Sequence, residues 1–291
     1  MINIVIISQN RPFFGAQIVH IPLLRLIKSR YPGCKIHFFS KSKVSNILLS
    51  LGIIDTLIIE KSKLHFLQEY KAISAELTVN LRKKSLWHFW VMVMMNRGIK
   101  VGFSTFLSNI FFDNTAQNNL GIYRANNYLS LFDAKIEPDK IAKNNRVCLI
   151  PGAGNQYKVW DLENYICVAN AIQLKHPNIE IVFILGQQEA AFKDRLSEFT
   201  VQMNIDIKQL FSCIGESILV ISNDCGPSHI GHILGVDMVS IFSDEFLNAQ
   251  TTADEWYYKR EGAYLIQGDP QQSINSVTVD TVLDKVLKII S

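Results

Sequence analysis

The sequence is short of the residues that staple or interrupt a chain. Its five cysteines, Cys34, Cys148, Cys167, Cys213 and Cys225, are scattered, odd in number and without a C-x-x-C pair. That excludes a disulfide framework and a cysteine zinc site, and it fits a reduced compartment. Eight prolines and 15 glycines in 291 residues leave no collagen-like or low-complexity tract. Long apolar runs are missing too. The longest, Leu86 to Met95, is interrupted by His88 and is about half of the roughly 20 residues a spanning helix needs. No membrane crossing is expected, and no secretory leader, because Ile4 to Ile7 has no basic region before it. Net charge is only +3, so nucleic acid is not an expected partner.

What is present is a globular composition, with 48% hydrophobic and 19% charged residues. A chain of 291 residues can bury a sizeable core and favours two domains. The small net charge conceals a split. Up to Ile150 there are 20 Lys and Arg against 8 Asp and Glu; from Pro151 onward there are 9 against 18. Halves of +12 and −9 point to two domains with different partners.

Short Ile- and Val-rich runs alternate with longer segments of helical period, the pattern of βαβ units and parallel sheets. Strands are expected at 2–8, 35–39, 56–59, 77–80 and 99–103, with helices at 17–30, 44–51, 85–96 and 123–133. The polar stretch Lys135 to Asn145, which contains Pro138, reads as a linker. The pattern then restarts, with strands at 146–150, 179–185, 218–222 and 238–242. Helices are expected at 161–175, 189–199, 206–214, 227–234 and 279–290. The fold class is therefore α/β, two Rossmann-like doubly wound domains. The first occupies 1–140 and the second 141–275, and the C-terminal helix in 276–291 is placed to pack back toward the first.

Three segments of the second half carry candidate chemistry. Pro151-Gly152-Ala153-Gly154, followed by Lys158, lies between a strand and a helix. Ligands of parallel sheets bind outside the carboxyl ends of strands, where a glycine-rich turn lets backbone amides approach an anion. The G-x-x-x-x-G-K-[ST] spacing is absent, so this is not a nucleoside-triphosphatase loop. A plain tight turn remains an alternative, and Trp160 by itself reads as packing. Asp224-Cys225-Gly226-Pro227-Ser228-His229 follows a second strand, and Gly226-Pro227 suits a helix start. His229 and His232 lack a third ligand, so no metal site is expected there. Glu189, after a third strand, is placed to reach a ribose hydroxyl or simply to complement a helix dipole.

Taken in order, "PGAGNQYKVW", "FILGQQE" and "SNDCGPSHIGHILG", closed by "VTVDTVLDKVLKII", resemble glycosyltransferase family 9, the heptosyltransferases of lipopolysaccharide core synthesis. The likeness extends to "GAQIVHIPLLRLIKSRYPGCKI" and "NLRKKSLWHFWVMVMMNRGIKVGF". It implies the GT-B arrangement, two Rossmann-like domains facing across a cleft, and inverting, metal-independent transfer without a cofactor. The donor implied is a nucleotide-sugar, ADP-heptose foremost, held by the second domain. The acceptor, an anionic glycolipid or other surface glycan, falls to the first domain. By the same likeness Lys158 contacts the donor phosphates and Glu189 the ribose. Asp224, with Cys225, Gly226, Pro227 and His229, surrounds the diphosphate and sugar, and Gly152, Ala153 and Gly154 form the loop beside them.

One position departs from the family. Where it carries a Gly-Asp pair whose carboxylate serves as general base, this chain has Gly15-Ala16, and an alanine takes no proton. His20 has a suitable unperturbed pKa and is the candidate replacement; its alternative is a packing position in the helix. Arg11, Gly15 and Gln17 are expected on the acceptor side. A non-catalytic relative that binds nucleotide or glycan as a scaffold is the competing reading. Finally, Arg82-Lys83-Lys84 directly precedes Trp87 and Trp90, a composition suited to a peripheral contact with an anionic membrane face. The expected location is cytoplasmic, at the inner face of the cytoplasmic membrane.

Overall fold

The computed structural model describes residues 2–9, 11–95, 97–139, 141–243, 249–269 and 273–290, and it divides into two compact units, Met1–Ile136 and Glu137–Ser291. The division falls inside the polar stretch 135–145.

The first unit carries strands β1 (Asn3–Ile7), β2 (Lys35–Ser40), β3 (Thr56–Ile59), β4 (Leu77–Asn80), β5 (Ile99–Phe103) and β6 (Asn114–Ala116), with helices α1 (Phe14–Ile18), α2 (Ile21–Arg30), α3 (Asn46–Ser50), α4 (Lys63–Ala72), α5 (Leu86–Met95), α6 (Ser108–Phe111) and α7 (Arg124–Leu129). Its six-stranded parallel sheet has the order β3-β2-β1-β4-β5-β6. Ile4, Val5, Ile6 and Ile7 of the central strand are all fully buried. A parallel strand covered on both faces reads as a continuous apolar run.

The second unit repeats the plan. Strands β7 (Asn144–Ile150), β8 (Glu180–Leu185), β9 (Thr200–Met203), β10 (Ser217–Asn223), β11 (Asp237–Phe242) and β12 (Ala263–Gln267) form a sheet of order β12-β11-β10-β7-β8-β9. Renumbered from its own first strand, this is again 3-2-1-4-5-6 read from the other end, the Rossmann order. Its helices are α8 (Leu162–Lys175), α9 (Ile207–Gly215), α10 (Ser228–Leu234), α11 (Ala249–Trp256) and α12 (Val279–Ile290). Gly235 ends α10 at φ 69°, the left-handed C-terminal position that favours glycine.

Several details differ from the sequence reading. The helix expected over 17–30 is two, α1 and α2, with His20 at the α2 N-cap and Pro22 in its first turn. Proline has no amide to continue the hydrogen-bond ladder, so the first helix stops before it. The helix expected at 189–199 is a 3-10 segment over Gln187–Leu196. Val282 and Val286 of α12 are fully buried in the core of the second unit with Val147, Ile221 and Ile172. The buried face of the C-terminal helix thus packs within the core of the second unit.

Candidate functional site

In a sheet of this order the chain leaves the central pair of strands in opposite directions, and the crevice so formed lies at their carboxyl ends. In the second unit that pair is β7 and β10. The residue closing β10, Asn223, is fully buried and ties the two strand ends together. Its Nδ2 donates to the Pro151 carbonyl at 2.6 Å, and its Oδ1 accepts from the Tyr165 hydroxyl at 2.9 Å and the Trp160 amide at 3.3 Å. Trp160 is itself buried, with Nε1 donating to the Val277 carbonyl at 2.8 Å. The loop 151–160 is therefore held at both ends, and Trp160 serves it by packing.

Lys158 projects from this loop. Its Nζ is ion-paired with the Asp224 carboxylate, and side-chain exposures of 25% and 13% place the pair at the edge of solvent. The Glu189 carboxylate accepts from the Gly186 amide at 3.0 Å, just beyond β8. A Cβ added to Gly152 would stand 2.6 Å from the Glu189 carboxyl carbon, so glycine is what allows the β7 loop and the acid to touch. Gly152, Lys158, Glu189 and Asp224 thus gather from three consecutive strand ends. Gly154 is different: it is exposed, and a Cβ there would meet nothing within 4 Å. Ala153 is half-buried between the two glycines.

The turn after Asp224 is closed locally. The Asp224 amide donates to the Ile241 carbonyl at 3.1 Å, and the amides of His229 and Ile230 donate to Gly226 and Pro227. The Ser228 hydroxyl donates to the Cys225 carbonyl at 2.7 Å. Pro227 has no amide and the Ser228 amide faces the Cys225 thiol, so the amides this turn can offer an anion are those of Cys225 and Gly226. Burial pushes the Cys225 thiol up to about 12, so it stays protonated. Burial also lowers His229 to about 4, against the pull of Asp224. It is a neutral ring beside Trp256, centroids 5.5 Å apart.

The first-unit candidates fare differently. Arg11 is exposed on the loop after β1, while Gly15, Ala16 and Gln17 are buried. Gln17 folds back on that loop, its Nε2 donating to the Arg11 carbonyl at 2.7 Å and its Oε1 accepting from Ser45 at 2.8 Å. His20 is not exposed as a replacement base would need to be. It is 1% exposed, stacked on Tyr128 at 4.9 Å and edge-on to Phe38 at 5.3 Å. Burial lowers it to about 4. A ring sealed in the core cannot meet an acceptor hydroxyl, and packing is its role.

Arg82 is not a surface cation either. It is buried at the carboxyl edge of the first sheet, bonded to Glu60 at 2.7 Å, to the Ser8 carbonyl at 2.5 Å and beside His88 Nε2 at 2.7 Å. His88 Nδ1 in turn lies 2.5 Å from the Ser85 hydroxyl. Burial pushes the Glu60 carboxyl up, but hydrogen bonds from His88 and Arg82, with their charges, outweigh it and hold Glu60 at about 2. Trp87 is half-buried beneath Lys63, whose Nζ is 5.6 Å from the ring centroid.

Sequence reasoning passed over Asn223 and Glu60. Asn223 closes β10 and Glu60 directly follows β3, and a polar residue at a strand end is the signal that could have found them.

A family model, glycosyltransferase family 9 (heptosyltransferase), matches residues 112–253, a span that includes Lys158, Glu189 and Asp224. No curated protein matches the sequence significantly. Among solved structures, the glycosyltransferase family 9 protein of Veillonella parvula is similar at 15% identity and TM-score 0.73, covering 99% of this chain and 97% of that one. Escherichia coli heptosyltransferase WaaC with ADP-2-deoxy-2-fluoro heptose is 12% identical with a TM-score of 0.72, each chain covered over 99%. E. coli ADP-heptose lipopolysaccharide heptosyltransferase II is 14% identical with a TM-score of 0.68, over 99% of this chain and 98% of that one. The resemblance read from the motifs and the expected pair of Rossmann-like sheets of GT-B enzymes are both borne out.

Proposed function

We propose that the protein is a glycosyltransferase of the family 9 type that moves a sugar from a nucleoside diphosphate, ADP-heptose being the first choice, onto a lipopolysaccharide core or related surface glycan. The observation that carries this reading is the presence of two contacts, Lys158 with Asp224 and Glu189 against Gly152, at three neighbouring strand ends. The neighbour solved with an ADP-heptose analogue favours an adenine nucleotide and a heptose.

In this reading the diphosphate lies over the 151–158 loop and the 225–228 turn. Lys158 meets the charge that grows on the leaving group, a task that needs a fixed cation in a partly desolvated place. Without a ligand that cation is already matched by Asp224. An arriving diphosphate draws Lys158 toward itself and releases the Asp224 carboxylate to bond sugar hydroxyls, and Glu189 holds the ribose. Transfer is inverting and needs no metal, since lysine and backbone amides carry the countercharge, and it takes place at the cytoplasmic face of the membrane. The group that accepts the proton of the incoming hydroxyl is neither Ala16 nor His20.

That vacancy is the specific ground for a second reading, a relative that binds nucleotide-sugar without turnover. Incubating the full chain with ADP-heptose and a heptose-free core glycolipid, and following ADP release, separates the two. Release that requires both substrates and vanishes in Lys158→Ala establishes transfer. ADP binding with no release assigns the binding role, and neither binding nor release overturns both.

A further inference from the structure

Residues 77–112 contain no Asp or Glu, yet carry Arg82, Lys83, Lys84, Arg97 and Lys100. Two of these cations are spoken for, Arg82 by Glu60 and Lys100 by Asp113 at 3.4 Å. Lys83, Lys84 and Arg97 are exposed and have no ion-pair partner among the described residues. Helix stability does not explain the lysines, because they stand at the positive N-terminal end of α5, where a cation is unfavourable.

Between these cations runs an apolar stripe. Leu86, Trp90 and Met94 recur at i, i+4 and i+8 along one side of α5 and are 62%, 41% and 73% exposed. The Trp90 ring packs on Phe111 of α6 at 5.7 Å, beside exposed Ile110. Leu86 also reaches the rim of a cavity of about 250 Å³ that it shares with Phe89, Phe106, Phe112 and Lys83. Phe106 is 83% exposed at its edge. A ten-residue helix is about 15 Å long, so an exposed aromatic and aliphatic face is bracketed at both ends by unmatched positive charge. Cations at headgroup level, an indole at the boundary and aliphatic side chains below are the composition of an interfacial helix on an anionic bilayer.

We propose that the α5–α6 face of the first unit docks on an anionic lipid bilayer, with Lys83, Lys84 and Arg97 against the headgroups and Leu86, Trp90 and Met94 entering the boundary. This differs from a contact through Arg82 and Trp87, which are engaged inside the fold. It needs residues of the first unit alone, so it stands even if the protein transfers no sugar.

The test is sedimentation of the full chain with vesicles of phosphatidylcholine alone and of an equimolar mixture with phosphatidylglycerol. The expected result is binding to the mixed vesicles only, weakened by salt. Replacing Lys83, Lys84 and Arg97 together by Gln should lower the partition coefficient about a hundredfold, roughly fivefold per cation. Leu86→Ser with Met94→Ser should also weaken it with the circular-dichroism spectrum unchanged, both residues being exposed. No binding, equal binding to both vesicles, or unaltered binding by these variants overturns the proposal. So does a dimer in light scattering that Leu86→Ser with Met94→Ser converts to monomer, which would give this face to a second copy of the chain.

Discussion

Glu60→Gln is the substitution whose cost can be worked out most fully. Glu60 and Arg82 form a buried ion pair, with side-chain exposures of 3% and 7% and an N···O separation of 2.5 Å, and His88 Nε2 lies 3.1 Å from the same carboxylate. Glutamine keeps the shape and removes the charge, leaving the Arg82 guanidinium buried and unmatched. Breaking one side of such a pair costs about 3–5 kcal/mol. An independent route gives a similar figure. A carboxyl whose pKa falls from 4.5 to about 2 on folding contributes about 3 kcal/mol of stability at neutral pH. Because the folded value is the lower one, this contribution is complete above pH 4.5 and is lost as pH falls toward 2. By pH 3.5 about 1.4 kcal/mol of it should be gone. Urea unfolding of parent and Glu60→Gln, followed by fluorescence between neutral pH and pH 3.5, should show a gap of about 3 kcal/mol that narrows on the acid side. A gap below about 1 kcal/mol at neutral pH, the scale of an exposed pair, or one independent of pH, would refute the reasoning.

Other consequences follow from the second unit. Gly152→Ala forces the Glu189 carboxylate from the Gly186 amide, because the new Cβ would approach within 2.6 Å; ADP affinity should fall in calorimetry while the unfolding midpoint changes little. Asn223→Ala leaves the Tyr165 hydroxyl and Pro151 carbonyl without their buried partner, a loss of about 2–4 kcal/mol visible in urea unfolding, and ADP affinity should drop with it. Asp224→Asn removes the carboxylate that competes for Lys158; ADP should bind at least as tightly as to the parent while sugar transfer is lost, a split that calorimetry and ADP release would record separately.

The central strands and the three second-unit segments were legible because burial writes itself as unbroken apolar runs, as in Ile4 to Ile7 and in Leu219 to Ile221. What escaped was peripheral or nonlocal. β6 and β9 are edge strands of mixed polarity, Asn-Thr-Ala and Thr-Val-Gln-Met. α4 buries only Phe66 and Tyr70, too little to declare a helical face. Gly152, Lys158, Glu189 and Asp224 could be named from position after strands, but their contacts depend on strand order, which places β10 between β7 and β11. The burial of His20 and Arg82 was not legible for one reason. Local sequence displays a polar side chain and not its burial, and both lie inside the first unit, against Tyr128 and Glu60 respectively.

The claim that the second unit holds a nucleoside diphosphate through Lys158 is tested most directly by isothermal titration of the full chain with ADP. The account predicts saturable binding that Lys158→Ala weakens about 10- to 150-fold, the worth of one charge-assisted hydrogen bond of about 1.5–3 kcal/mol. Absence of ADP binding to the parent, or the same affinity in Lys158→Ala, would contradict it.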